Sequence, residues 1–189
     1  MDPNDGDVRG GSGAPSPPNS SGSLATVRLL ALDVDGVLTD GRVIYGDQGE
    51  TQEFHVADGL GLKLLMQSDV AVTWITGRGC EATRRRAQEL GVTELHVAAG
   101  PKDRVLAEVQ ERLGIAPEHT AAMGDDLPDL AMRARAAFFA APHNARAEVR
   151  ERADFVTSTR GGEGAVREFA ELLLRAQGRW TAILDALGG

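Results

Sequence analysis

Short, nearly uninterrupted apolar runs that stop dead at a polar residue recur along this chain, and they restrict its fold more than any other feature. Val27–Leu32 stops at Asp33, and Ala71–Ile75 stops at Thr76-Gly77-Arg78. Thr120–Met123 stops at Gly124-Asp125-Asp126, while Ala136–Ala140 and Asp154–Thr157 are weaker runs of the same kind. A strand that is apolar throughout must be buried on both faces, as in a parallel sheet covered by helices. Helical patterns lie between the runs: Leu60–Met66, Glu81–Leu90 with Gly91 as its C-cap, and Pro101–Leu113 with Gly114 past its end. Asp126–Arg135, Asn144–Arg152 and Glu163–Gln177 complete the set. This alternation predicts an α/β doubly wound parallel sheet.

One segment departs from the alternation. Arg42–Tyr45, the turn Gly46-Asp47-Gln48-Gly49 and Glu50–Val56 predict a β-hairpin inserted after the first strand. That hairpin and one helix fill the span from Asp40 to Arg78, so no separate cap domain fits there. Residues 1–23 are rich in Gly, Ser, Pro, Asn and Asp. Such a composition buries too little apolar surface to offset ordering entropy, which predicts a disordered tail ahead of a domain at 24–189.

The whole-chain numbers exclude some classes. Hydrophobic residues make up 42% and charged residues 25% of the 189, an ordinary globular balance. A net charge of −8 argues against nucleic acid or an anionic membrane as partner. Cys80 is the single cysteine, so no disulfide framework is expected and a reducing compartment is the default. No apolar run approaches the roughly 18 residues of a membrane span. The first residues are acidic and lack the apolar core of a secretory signal, so the expected location is the cytoplasm.

Open α/β sheets bind ligands at the carboxyl ends of their strands, which is where the polar stops fall. Asp33-Val34-Asp35-Gly36 sets two carboxylates at i and i+2, on one side of an extended chain. Such a pair attracts a hard cation and offers two groups with separable jobs, although turn-forming Asp residues also end strands without any function. Gly124-Asp125-Asp126-Leu127-Pro128-Asp129 is a second acidic cluster. Asp126 there also reads as a helix N-cap, but that leaves Asp125 unexplained. Carboxylates, a backbone carbonyl and waters form an ordinary magnesium shell. Thr76-Gly77-Arg78 offers a hydroxyl and backbone N–H groups to a phosphoryl oxygen. Lys102 sits at a helix N-terminus, where the macrodipole disfavours a cation unless anions lie nearby; a simply exposed lysine is the plainer reading. His55, His96, His119 and His143 show no metal-ligand spacing. Cys80 reads as a small apolar filler, and Arg84-Arg85-Arg86 as a solvated helix face.

Taken along the chain, Asp33-Val34-Asp35-Gly36, Thr76-Gly77-Arg78, Lys102 and Gly124–Asp129 resemble, in that order, the haloacid dehalogenase superfamily of phosphohydrolases. Gly49-Glu50, Asp58-Gly59 and Gly161–Glu168 extend the likeness to its capless sugar-acid phosphatase branch, over roughly residues 27–178. Ala57 and Pro101 depart from that branch's pattern, in which a basic and a polar residue are usual. The resemblance implies a capless Rossmann-like fold and hydrolysis of a phosphorylated sugar acid through an aspartyl phosphate. The expected substrate is 3-deoxy-D-manno-octulosonate 8-phosphate, the alternative a nine-carbon 2-keto-3-deoxy sugar acid 9-phosphate; a non-catalytic regulatory module of the same fold is the other alternative. It implies Asp33 as nucleophile, Asp35 as general acid and base, and Thr76 and Lys102 as further catalytic groups. Thr76, Gly77, Arg78, Lys102 and Arg167 are implied to bind substrate. Asp33, Asp125 and the Asp35 carbonyl are implied to hold Mg²⁺, with Asp126 and Asp129 behind them or beside Lys102. It also implies a homotetramer assembled through the hairpins, with a flexible Gly161–Gly164 segment that carries Arg167 toward a neighbouring site.

Overall fold

The computed structural model describes residues 24–47 and 49–188. The predicted tail at 1–23 therefore lies outside the described residues. Six strands form one parallel sheet: β1 Leu29–Leu32, β4 Ala71–Ile75, β5 Glu94–His96, β6 Thr120–Met123, β7 Phe138–Ala141 and β8 Phe155–Val156. Their order is β5-β4-β1-β6-β7-β8. Strands β2 Ile44–Gly46 and β3 Gly49–Thr51 pair separately as an antiparallel hairpin.

The helices are α1 Val56–Gln67, α2 Glu81–Leu90, α3 Lys102–Leu113, α4 Leu130–Arg133, α5 Ala147–Arg150, α6 Ala165–Ala176 and α7 Trp180–Ala186. They cover both sheet faces because every central strand is apolar on both. Leu30 and Leu32 join Val72, Trp74, Met123 and Phe138 in the core beneath α1 and α6. Leu29 and Ala31 point the other way, to Leu106 and Val109 of α3 and Val149 of α5. Phe138 and Phe155 each stack on Phe169, which ties the far edge of the sheet to α6.

Several expected bounds move, each for a local reason. The second hairpin strand pairs only to Thr51, because Phe54 turns inward and stacks on Trp74 with ring centroids 6.3 Å apart. Helix α1 then starts at Val56, earlier than its Leu periodicity suggested. The Asp126–Arg135 helix shrinks to α4 behind a 3₁₀ turn at Leu127–Asp129, and Asn144–Arg152 shrinks to α5. Strand β5 and helix α7 were not expected. The first is three residues long, two of them polar; the second buries only Trp180. No helix of the described residues is long and apolar enough to cross a membrane.

The Gly161–Gly164 segment is not the free arm expected of it. Gly161 N–H donates to Asn144 Oδ1 at 2.7 Å and Gly162 N–H to the Val37 carbonyl at 3.1 Å. A Cβ on Gly161 would lie 1.8 Å from the Gly36 carbonyl oxygen, so only glycine lets this turn press on the loop after β1. Beyond it, Asp58 of α1 is buried and its Oδ1 accepts from Arg167 N–H at 2.7 Å in the first turn of α6. Gly164 precedes that helix without a capping side chain, and Asp58 supplies the carboxylate from a neighbouring helix.

Candidate active site

The chain runs from β1 outward to β4 and β5, then crosses back to β6 on the other side of β1. The strand order therefore reverses at β1, and the crevice above the carboxyl ends of β4, β1 and β6 is where this topology places a ligand. A cleft of about 340 Å³ opens there. Asp33, Asp35, Gly77, Arg78, Lys102, Asp125, Asp126 and Asp129 line it.

Asp33 follows β1 directly, and its N–H continues the sheet by donating to the Met123 carbonyl at 3.1 Å. Its carboxylate is buried and accepts from Lys102 Nζ at 2.7 Å. The same ammonium donates to Asp129 Oδ1 at 2.5 Å. Lys102 is thus not an exposed lysine: only 7% of it is accessible, and two carboxylates offset both its burial and the adverse helix dipole. Burial alone would pull Lys102 down, but Asp33 and Asp129 outweigh it and hold the ammonium above its ordinary range. Asp129 is fully engaged, since its Oδ2 also accepts from the N–H groups of Asp125 and Asp126, at 2.9 and 3.1 Å. The contact with Lys102 foreseen for it is present, and its bonds to the Asp125 loop also place it behind that residue. Asp126 caps the 3₁₀ turn through its side chain, as its N-cap reading anticipated.

Asp33, Asp125 and Asp129 each present an oxygen within 4.8 Å of the others. Three carboxylates crowd around one ammonium that pairs with two of them, so the site carries more negative charge than it can pair. Burial first, then the carboxylates of Asp129, Asp33 and Asp126, push Asp125 up to about 8. Burial and Asp129 likewise push Asp33 to about 7, against the pull of Lys102. Lys102 itself is stabilised as a cation, so the strain belongs to the excess carboxylate rather than to the ion pair. Asp125 is the member that Lys102 does not touch, and we assign the uncompensated charge chiefly to it. A dense set of hard oxygen donors at excess negative charge suits a hard divalent cation. The loop geometry agrees: Gly36 has φ of 89°, and a Cβ there would strike the Asp125 carboxyl at 2.1 Å.

Asp35 turns away from this cluster. Its Oδ2 accepts from Thr76 Oγ1 at 3.0 Å, and its Oδ1 from Gln52 Nε2 at 2.8 Å. That placement leaves only the backbone carbonyl for the metal role assigned to it. Thr76 in turn accepts from Arg78 N–H at 3.0 Å, while the Arg78 guanidinium pairs with Glu50 of the hairpin at 2.9 Å. Seven of the eight residues named from the sequence thus meet at one cleft: Asp33, Asp35, Gly77, Arg78, Lys102 and Asp125 line it, with Thr76 beneath Asp35. Arg167 does not join them within one chain. Its Nε pairs with Glu171 at 2.7 Å and its guanidinium lies 5.5 Å over the Trp180 ring, between α6 and α7. Gln52 had no sequence signal at all, being one polar residue in a hairpin. Cys80 is not apolar filler either, because its Sγ donates to Gln52 Oε1 at 3.2 Å.

Comparison with known proteins agrees with this geometry. A model of the haloacid dehalogenase-like hydrolases matches residues 100–169. The 3-deoxy-D-manno-octulosonate 8-phosphate phosphatase KdsC of Escherichia coli K12 is 42% identical over 154 residues, spanning 81% of this chain and 82% of the relative. The Haemophilus influenzae KdsC is 37% identical over 167 residues, spanning 88% and 92%. The crystal structure of the Moraxella catarrhalis phosphatase, in complex with magnesium, phosphate and KDO, superposes with a TM-score of 0.86 at 40% identity, over 89% of this chain and 97% of that one. The chain belongs to the 3-deoxy-D-manno-octulosonate 8-phosphate phosphatase family of haloacid dehalogenase-like hydrolases.

Proposed function

We propose that this chain is a phosphoric monoester hydrolase that removes the phosphate of 3-deoxy-D-manno-octulosonate 8-phosphate through an aspartyl phosphate, as a cytoplasmic homotetramer. The observation that carries the reading is the arrangement of Asp33 and Asp35. One is buried against Lys102 beside two further carboxylates; the other faces the same cleft, held only by uncharged donors. The first arrangement suits a nucleophile and cation ligand, the second a group that must gain and lose a proton.

In the first half-reaction an Asp33 oxygen attacks phosphorus as the bond to the sugar oxygen breaks. Asp35, in its acid form, delivers its proton to that leaving oxygen. In the second, Asp35 takes a proton from water, whose oxygen attacks the acyl phosphate; inorganic phosphate leaves and the Asp33 carboxylate is restored. Lys102 orients Asp33 and neutralises part of the phosphoryl charge. Gly77 and Arg78 line the same cleft, and the Gly77 N–H suits a remaining oxygen. Asp33, Asp125 and the Asp35 carbonyl would hold Mg²⁺, which supplies Lewis-acid neutralisation of the transferring group. The assembly is supported by the hairpin, where Val43, Ile44, Tyr45 and nearby Val56 are 37%, 45%, 78% and 80% exposed.

Phosphate release from a panel of sugar phosphates, eight- and nine-carbon acids included, tests the reading with Mg²⁺ and with EDTA. The eight-carbon substrate should turn over fastest and only with the cation. Asp33→Asn should abolish turnover with the fold intact; activity within about tenfold of wild type, a barrier change of only ~1.4 kcal/mol, removes Asp33 as nucleophile. Light scattering addresses assembly, and a fully active species of 20.0 kDa refutes the tetramer.

A further inference from the structure

Gln52 leaves the hairpin one residue past β3 and contacts the proposed acid–base residue directly. Its Nε2 donates to Asp35 Oδ1 at 2.8 Å, while Thr76 Oγ1 donates to Asp35 Oδ2 at 3.0 Å. The two donors come from different elements, the hairpin and the turn after β4. The Gln52 amide is itself oriented. Its Oε1 accepts from Thr83 Oγ1 at 2.5 Å and from Cys80 Sγ at 3.2 Å. Turning the amide over would set its oxygen against a carboxylate and its NH₂ against two groups that now donate. Thr83 is 1% exposed in α2, so this anchor is a rigid one.

The χ2 torsion of an aspartate is broad, and one hydrogen bond leaves the carboxylate free to pivot. Two donors, one on each oxygen, fix its plane. Both are uncharged, unlike the ammonium that holds Asp33, so they fix the plane of the group without setting a formal charge beside it. We propose that Gln52, anchored by Thr83 and Cys80, is a positioning residue that aims Asp35 at the leaving oxygen and then at the hydrolytic water. The proposal rests on the acid–base reading of Asp35 given above.

Leaving-group dependence tests it. A sugar-acid phosphate expels an alkoxide that needs a proton, whereas p-nitrophenyl phosphate expels a phenolate that does not. Gln52→Leu, Thr83→Val and, as reference, Asp35→Asn are compared with wild type, with Mg²⁺ present and their melting temperatures checked. For the sugar-acid phosphate, Gln52→Leu should lower kcat by about ten- to a hundredfold, part of the ~10²–10⁴ that a positioned acid–base group supplies, with KM nearly unchanged. For p-nitrophenyl phosphate the single-turnover burst of nitrophenolate should stay near wild type, while acid-quenched enzyme accumulates phosphoenzyme because hydrolysis still needs the base. Thr83→Val should move both readouts the same way, by less. Equal losses in the phosphorylation step, read as single turnover of the sugar-acid phosphate and as the nitrophenolate burst, or a change in KM alone, would overturn the role of Gln52 while leaving Asp35 in place if Asp35→Asn discriminates between them. If Asp35→Asn does not discriminate either, the acid–base reading falls and this proposal with it.

Discussion

Replacing Asp125 with Asn should make the metal-free protein more stable and the metal-loaded protein inactive. Asn keeps the shape of the side chain and removes a half-buried carboxylate that faces three others. Asp125 stands at about 8 in the folded chain, against 3.8 for an unperturbed Asp. A carboxylate raised on folding binds more protons in the native state, so stability falls as pH rises from about 4 to about 8 and levels off beyond. At pH 7 the full difference, about 3 pH units at ~1.4 kcal/mol each, sets a ceiling of about 4 kcal/mol. The site opens to a cleft and water screens part of this, so about 2 kcal/mol is the working figure. For a domain of this size that is roughly 4–8 °C in Tm. Thermal melts in EDTA at pH 5 and pH 8, repeated with Mg²⁺, provide the assay. Asp125→Asn should melt above wild type at pH 8 in EDTA and show less advantage at pH 5. Mg²⁺ should raise the wild type far more than the variant. A variant that melts at or below wild type in EDTA at pH 8, or gains as much from Mg²⁺, would refute the charge-excess argument.

Lys102→Met leaves Asp33 and Asp129 without their shared cation. The cost should be about 2–3 kcal/mol by denaturant titration, below the ~3–5 of a sealed pair because Asp33 can take a proton from the cleft; an unchanged midpoint would show that the pair contributes nothing. Gly161→Ala places a methyl 1.8 Å from the Gly36 carbonyl oxygen, so the loop bearing Asp33 and Asp35 must move. Displacement near 1 Å should lower kcat on the order of 10²-fold, and a wild-type kcat would show that the clamp has no bearing on the chemistry.

The sheet and the cleft were legible in the sequence because they depend on strand apolarity and on what ends each strand. Leu29–Leu32 and Thr120–Met123 are buried at every position, and the carboxylates that stop them lie side by side in the parallel register of β1 and β6. What stayed hidden was decided by contacts between distant segments. Lys102 is separated from Asp33 by 69 positions, and nothing local distinguishes it from a solvated lysine. Arg167 was assigned to substrate by likeness alone, whereas its surroundings are Glu171 and Trp180 on its own stretch of chain. The Gly161–Gly164 run has the composition of a flexible arm, yet its glycines serve close approach of two backbones, which composition cannot distinguish from freedom.

The hairpin shows how a cleft without a cap domain is nonetheless organised from one side. Beyond β3 the chain stays extended, and alternate residues face the body of the protein. Glu50 pairs with Arg78, Gln52 with Asp35, and Phe54 stacks on Trp74, while Thr51, Glu53 and His55 face solvent. Two of the three inward residues are polar, so a pattern sought as apolar alternation passes over them. Their order follows the cleft, with the ion pair at its outer loop, the amide on Asp35 and the ring on the buried core. Phe54 anchors the strand, and its anchoring sets the register that brings Gln52 to Asp35 and Glu50 to Arg78. A shift of one residue would turn all three outward together and present Thr51 and Glu53 instead. The hairpin therefore acts through its inner edge on the orientation of Asp35 and Arg78, independently of whatever its exposed Val43 and Ile44 contact.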